Sequence, residues 1–156
     1  MAIFFNQILS RIQNDDVLFL AGAVKSPSLP DIDHYQDNED TMHTIIVDSD
    51  KIVRLEFTYF DVEWHPGCQH DFVKVIDGDG TVLMKESCGS SLINPAHYWY
   101  FLQSNITSRS NRVDIIFHSN SAETRTGWSL KWTAVMPGLF SNIIHLILAF
   151  RPMLVY

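Results

Sequence analysis

The chain has 156 residues, 46% hydrophobic and 19% charged, which suffices for one domain with a real core and is too short to divide readily into two. Its composition lacks the biases of disordered, collagenous or coiled-coil chains. The formal net charge of −7 comes from residues 21–135, where 16 Asp and Glu oppose 9 Lys and Arg; such a surface repels phosphate backbones, which argues against nucleic-acid binding and for cations or basic protein groups as partners.

Residues 1–20 have helix-like content without an amphipathic stripe and read as an extension. The apolar run VLFLAGA ends in small residues as a secretory signal does, but Asp15 and Asp16 precede it where positive charge is expected, so the segment is a poor signal. From residue 21 the chain turns rich in Ser, Pro, Asp and Asn, predicting a loop-rich approach to the first strand. That strand is expected at 44–48 (TIIVD), and a second at 51–60, with Leu55, Phe57 and Tyr59 on one face. Strands at 72–76 and 81–85 flank IDGDGT, whose Asp-Gly pairs supply the positive φ of a hairpin turn.

Residues 88–110 are less regular, with an apolar run at 98–102 (YWYFL) read as a candidate strand. Val113, Ile115 and Phe117 alternate on one face of the next strand, and Trp128, Leu130 and Trp132 on that of the last, placing two tryptophans in the core. Short alternating strands separated by turns predict an all-β, antiparallel sandwich. The tail 136–156 is apolar but interrupted by Asn142, His145, Arg151 and Pro152, so it reads as a loose tail rather than a membrane span.

Asp61, Glu63 and Asp71 gather between two strands, where the alternatives are a solvated loop and a cation site. His65, Cys68, His70 and Asp71 lack the paired Cys or His spacing of a structural zinc site. Ser90, His97 and Asp114 sit in no recognisable nucleophile setting, and no enzymatic activity is expected. Cys68 and Cys88 would stay reduced in a cytosolic protein and could pair in an oxidising compartment. Asn105, followed by Ile106 and Thr107, is a glycosylation sequon if the chain is secreted. Aromatic residues dominate sandwich cores, so most of Trp64 and the 98–101 run are expected to be buried, with an exposed contact patch as the alternative.

Five stretches in order, GAVKSPSLPDIDHY, EFTYFDVE, CQHDFVKVIDG, SCG and SNRVDIIFHSNSAETRTGW, resemble the CUB domains of complement-initiating (mannan-binding lectin-associated) serine proteases and tolloid-type metalloproteases, over residues 21–135. The resemblance implies two antiparallel sheets of jelly-roll-like topology and a disulfide between Cys68 and Cys88. An earlier disulfide usual in the family is missing here, with Ala21 or Ala23 and Thr41 near its two positions. It also implies a calcium site in which Glu63 and Asp71 are ligands and Tyr35 orients them; the third position, an Asp in the family, falls on Asn120 and implies a weakened site. A lysine of a protein partner would then meet Glu63 and Asp71, with His118 and Asn120 at the rim. The expectation is an extracellular interaction module, a fragment or isoform of a larger protease or matrix-associated protein. The alternative is a free-standing secreted protein that binds carbohydrate or glycosaminoglycan, similar to spermadhesins.

Overall fold

A computed structural model describes residues 20–26, 33–90 and 105–138. Among the described residues nine antiparallel strands form two sheets: β1 (Ala21–Lys25), β2 (Asp40–Ile46), β3 (Ile52–Val62), β4 (Phe72–Asp77), β5 (Val82–Ser87), β6 (Gly89–Ser90), β7 (Ile106–Thr107), β8 (Arg112–His118) and β9 (Gly127–Val135). One sheet runs β1-β9-β3-β6, with β7 also on β3; the other runs β2-β8-β4-β5. Among the described residues no helix is long and apolar enough to cross a membrane. The extension 1–19, the candidate strand at 98–102 and the tail beyond residue 138 lie outside the described residues.

The core lies between the inner rows of the two sheets. Trp128, Leu130, Trp132 and Ala134 line up on β9, and Val113, Ile115 and Phe117 on β8, all with 5% exposure or less. Burying each large apolar side chain contributes roughly 1.5–3 kcal/mol. Phe57, Phe117 and His43 each meet Trp128 edge-on, at ring separations of 6.2, 6.3 and 5.9 Å. This is the T-shaped arrangement that aromatic quadrupoles favour.

The structure departs from the expected alternation in β3. Val53, Leu55 and Phe57 face inward, but the register with β9 shifts between Phe57 and Tyr59, so the next inward residues are Phe60 and Val62. A bulge adds one residue to one strand and reverses its parity. Tyr59, expected beside Leu55 and Phe57, is therefore half-buried and bonds Thr126 through its hydroxyl.

Strand boundaries also differ, as β3 and β5 run on to Val62 and Ser87 and the short β6 and β7 stand in the stretch read as irregular. The strand expected at 44–48 occupies Asp40–Ile46, because pairing with β8 continues as far as Asp40 opposite His118. β1 stands where only loop was expected; its first three residues are small, and Gly22 leaves room for the Trp132 indole, which a Cβ there would meet at 2.6 Å. Ser26 fastens the end of β1 by donating its N–H to the Trp128 carbonyl at 2.9 Å and accepting from the Trp128 N–H at 3.1 Å.

The β4-β5 turn is held by Asp77, 1% exposed. Its carboxylate accepts from the N–H groups of Gly78 (2.8 Å), Arg109 (2.6 Å) and Ser110 (3.2 Å), and from the Ser110 hydroxyl. Burial pushes its carboxyl upward, but the Ser110 hydroxyl and the three N–H donors outweigh burial and leave it below the usual Asp range. A depressed folded value stabilises the fold above the unfolded value, and that stability is lost as pH falls through the folded value. Asp77→Asn is expected to cost about 2 kcal/mol near neutral pH. The gap to wild type should close in acid, as read from urea unfolding across pH.

Candidate cation site at one end of the sandwich

β3 ends and β4 begins at the same end of the molecule where β8 leaves and β2 arrives, since Phe72 and Asp40 both lie opposite His118. The loop between β3 and β4 is pinned by the Cys68–Cys88 disulfide, with a Cα separation of 5.4 Å. Closing a loop of this length stabilises by roughly 3 kcal/mol on the chain-entropy view.

Asp71, fully buried, joins these segments. Its Oδ2 accepts from the Tyr35 hydroxyl at 2.5 Å and its Oδ1 from the Asn120 N–H at 2.8 Å. The Tyr35 oxygen in turn accepts from the Glu63 N–H at 3.0 Å, and its ring meets Phe117 edge-on at 5.0 Å. Sequence separations of 36, 49 and 28 residues are thus closed by one phenol and one carboxylate. Glu63, 5% exposed, uses Oε1 for the His70 Nδ1 at 3.0 Å, while its Oε2 is buried without a hydrogen-bond partner.

Burial raises the Asp71 carboxyl above its ordinary range and the Glu63 charge pushes it the same way; the Tyr35 hydroxyl and Asn120 N–H pull it down without reversing the shift. Burial is also the largest of the influences that drive the Tyr35 phenol strongly upward, so it stays protonated and donating. The two carboxylates held in this corner oppose each other's charge.

The structure brings Tyr35, Glu63, Asp71 and Asn120 together. Asn120 meets Asp71 through its backbone N–H, and its side-chain Oδ1 accepts from the Ala122 N–H at 2.8 Å, leaving a second lone pair. His118 has Nδ1 2.7 Å from Asp40 Oδ1 and its ring stacked on Phe72 at 5.2 Å. Asp61 stands apart, accepting from the Thr126 hydroxyl at 2.6 Å and its N–H at 3.3 Å, as a fastening between β3 and the loop before β9. Among the described residues no group of three or more His, Cys, Asp and Glu is placed to hold a metal.

Burial fails for Trp64, which is 67% exposed in the loop that follows β3. Beside it the His65 and His70 rings stack at 3.7 Å. Ser119 went unnoticed in the sequence: its hydroxyl donates to the Gln36 carbonyl at 2.6 Å and accepts from the Glu39 N–H at 2.9 Å, fixing the approach to β2 against the loop that carries Asn120. No motif marks it, because its partners lie 83 and 80 residues away. Asn105 is exposed immediately before β7.

The family model described as CUB domain matches residues 14–132. The chain belongs to the CUB domain family. Human cubilin is 30% identical to it over 116 residues, which are 73% of this chain and 3% of cubilin, so the chain spans a small part of that relative. The CUB1-EGF-CUB2 region of human MASP-1/3 superimposes with a TM-score of 0.64 at 25% identity, over 79% of this chain and 44% of that one. The MASP-1 CUB2 domain bound to Ca2+ does so with a TM-score of 0.56 at 27% identity, over 72% of this chain and 90% of that one. CUB domains are non-catalytic modules.

The Tyr35 hydroxyl serves two buried partners in this CUB fold, so Tyr35→Phe leaves Asp71 Oδ2 without a donor and the Glu63 N–H without an acceptor. It is expected to cost about 2–4 kcal/mol in denaturant unfolding while the strand pattern in the circular dichroism spectrum is kept.

Proposed function

We propose that this CUB domain is an extracellular protein-interaction module in which Glu63, Asp71 and Asn120 hold a calcium ion and present carboxylate oxygens to a lysine of a partner. The observation that carries this reading is the buried, unpartnered Oε2 of Glu63 close to the fully buried Asp71. Carboxylate and amide oxygens are the hard donors that calcium takes, and the Ca2+-bound MASP-1 CUB2 neighbour supports the choice of metal. Asn120 brings an oxygen but no charge, so the site is weaker than one with a third carboxylate. Bound calcium supplies the positive charge that lets both carboxylates stay ionised.

Tyr35 holds Asp71 in place, Asn120 fixes its other oxygen, and His70 steadies Glu63. Carboxylates fixed in this way accept from an ammonium group with little further loss of side-chain freedom. His118 borders the same surface and extends the acceptor patch, with Asp40 behind it. The Cys68–Cys88 bridge supports an oxidising, extracellular setting, in which exposed Asn105 is the glycan acceptor.

Excess calcium is expected to raise the melting temperature over that in chelator, since a ligand of the folded form alone stabilises by mass action. The shift should be larger in Asn120→Asp; no shift in either protein would remove calcium from the reading. A peptide carrying a central lysine should bind in calcium and lose at least tenfold of its affinity in chelator, the scale of one charge-assisted contact. Equal binding in the two conditions would separate the partner surface from the cation.

A further inference from the structure

β2 is an outer strand of its sheet, with β8 on one side and no strand beside it on the other among the described residues. After Asp40 its sequence, TMHTII, contains no charge and no proline, and its ladder with β8 runs without a register shift. β5, at the opposite edge, carries Lys85 and Glu86 and shifts register twice against β4. Charges and bulges are what protect sheet edges from further pairing, and β2 lacks both over most of its length.

The hydrogen-bond parity shows what this edge offers. The Val47 N–H donates to the Asn111 carbonyl at 2.9 Å and the Ser119 N–H to the Glu39 carbonyl at 2.8 Å, so the odd-numbered residues here exchange bonds with β8. In an antiparallel ladder the alternate residues, Met42, Thr44 and Ile46, then aim their N–H and C=O groups outward. On the outer face Met42 is 60% and Ile46 61% exposed, and Met42 lies beside half-buried Ile116 of β8. On the inner face of the same edge Glu39 Oε2, Thr41 Oγ1 and His43 Nε2 are buried without hydrogen-bond partners.

Charge selects the occupant. The Asp40 side chain at the start of the edge meets His118 through Oδ1 and is still 82% exposed, and the Asp48 side chain past its end pairs with Lys51 through Oδ2 and is still 61% exposed, while Arg112, opposite Ile46, is bound to Asp114. A second copy would bring another net charge of −7 to this edge. We propose that β2 is a docking edge for an extended strand of a partner protein. That strand has apolar or β-branched residues at alternate positions, facing Met42 and Ile46, and Lys or Arg near both ends, meeting Asp40 and Asp48. Main-chain bonds then supply affinity and the alternate side chains supply selectivity.

The test uses the full chain in excess chelator, which keeps the outcome independent of the calcium reading. The probe is a fluorescent peptide of sequence Lys-Lys-Val-Thr-Val-Thr-Val-Lys-Lys, followed by anisotropy. Met42→Pro removes an N–H that points to the open edge and takes no bond from the β2-β8 ladder, so it is expected to weaken binding about tenfold or more. Met42→Val should bind as wild type does, and the peptide should slow hydrogen exchange at the amides of Met42, Thr44 and Ile46. Ile46→Lys leaves the backbone donors in place and should weaken binding by repulsion, which keeps the test decisive if the proline variant fails to fold. The proposal is overturned if the peptide fails to bind, if a folded Met42→Pro or Ile46→Lys protein binds it undiminished, or if a non-alternating peptide of equal charge binds as well. A dimer in sedimentation that Met42→Pro dissolves would make the occupant a second copy, and would equally overturn it.

Discussion

The Asp71 carboxylate is the constraint on which this end of the molecule depends. A fully buried acidic group is expensive unless each oxygen finds a donor, and here one is met by a phenol from the approach to β2 and the other by a backbone amide from the exit of β8. Three chain segments are therefore fixed relative to one another by a group with no apolar surface to bury. The phenol does double service, because its oxygen also receives the Glu63 N–H. Glu63 is carried into the same corner with one oxygen left over.

This arrangement separates two roles among the acidic residues. Asp61 and Asp77 are satisfied by hydroxyl and N–H donors and lie below the ordinary Asp range, so they act as fastenings. Asp71 lies above that range despite its two donors, because burial and the neighbouring Glu63 oppose its charge. The difference follows from how many donors reach each group against how dry its surroundings are. The second kind of environment is the one in which burial is not fully offset by donors.

Alternation made much of the sandwich legible in the sequence: Val113, Ile115 and Phe117, and Trp128, Leu130 and Trp132, are inward as their period of two requires. β1 was hidden because Ala21, Gly22 and Ala23 carry almost no hydrophobic signal, and Gly22 is small because Trp132 lies against it. The upstream reach of β2 was hidden because pairing with β8, rather than any property of Asp40 or Thr41, sets its start. Glu63 and Asp71 stood out as carboxylates in one loop, but joining them to Tyr35 and Asn120 rested on family resemblance. The donor assignments that bind the four lie across separations of 28 to 49 residues, where periodicity carries no information.

The bulge in β3 decides which residues of that strand are free to change and which kind of change they bear. Thr58 lies at the added position, exposed, with its hydroxyl 2.8 Å from that of Ser129. Many side chains fit there. Its loss as a position would instead set Phe60 and Val62 toward solvent and drive Asp61 between the sheets, since one residue inverts every face downstream. At this point the chain is thus tolerant in identity and intolerant in length, and the face on which Glu63 emerges depends on a fixed count of residues from the core of β3.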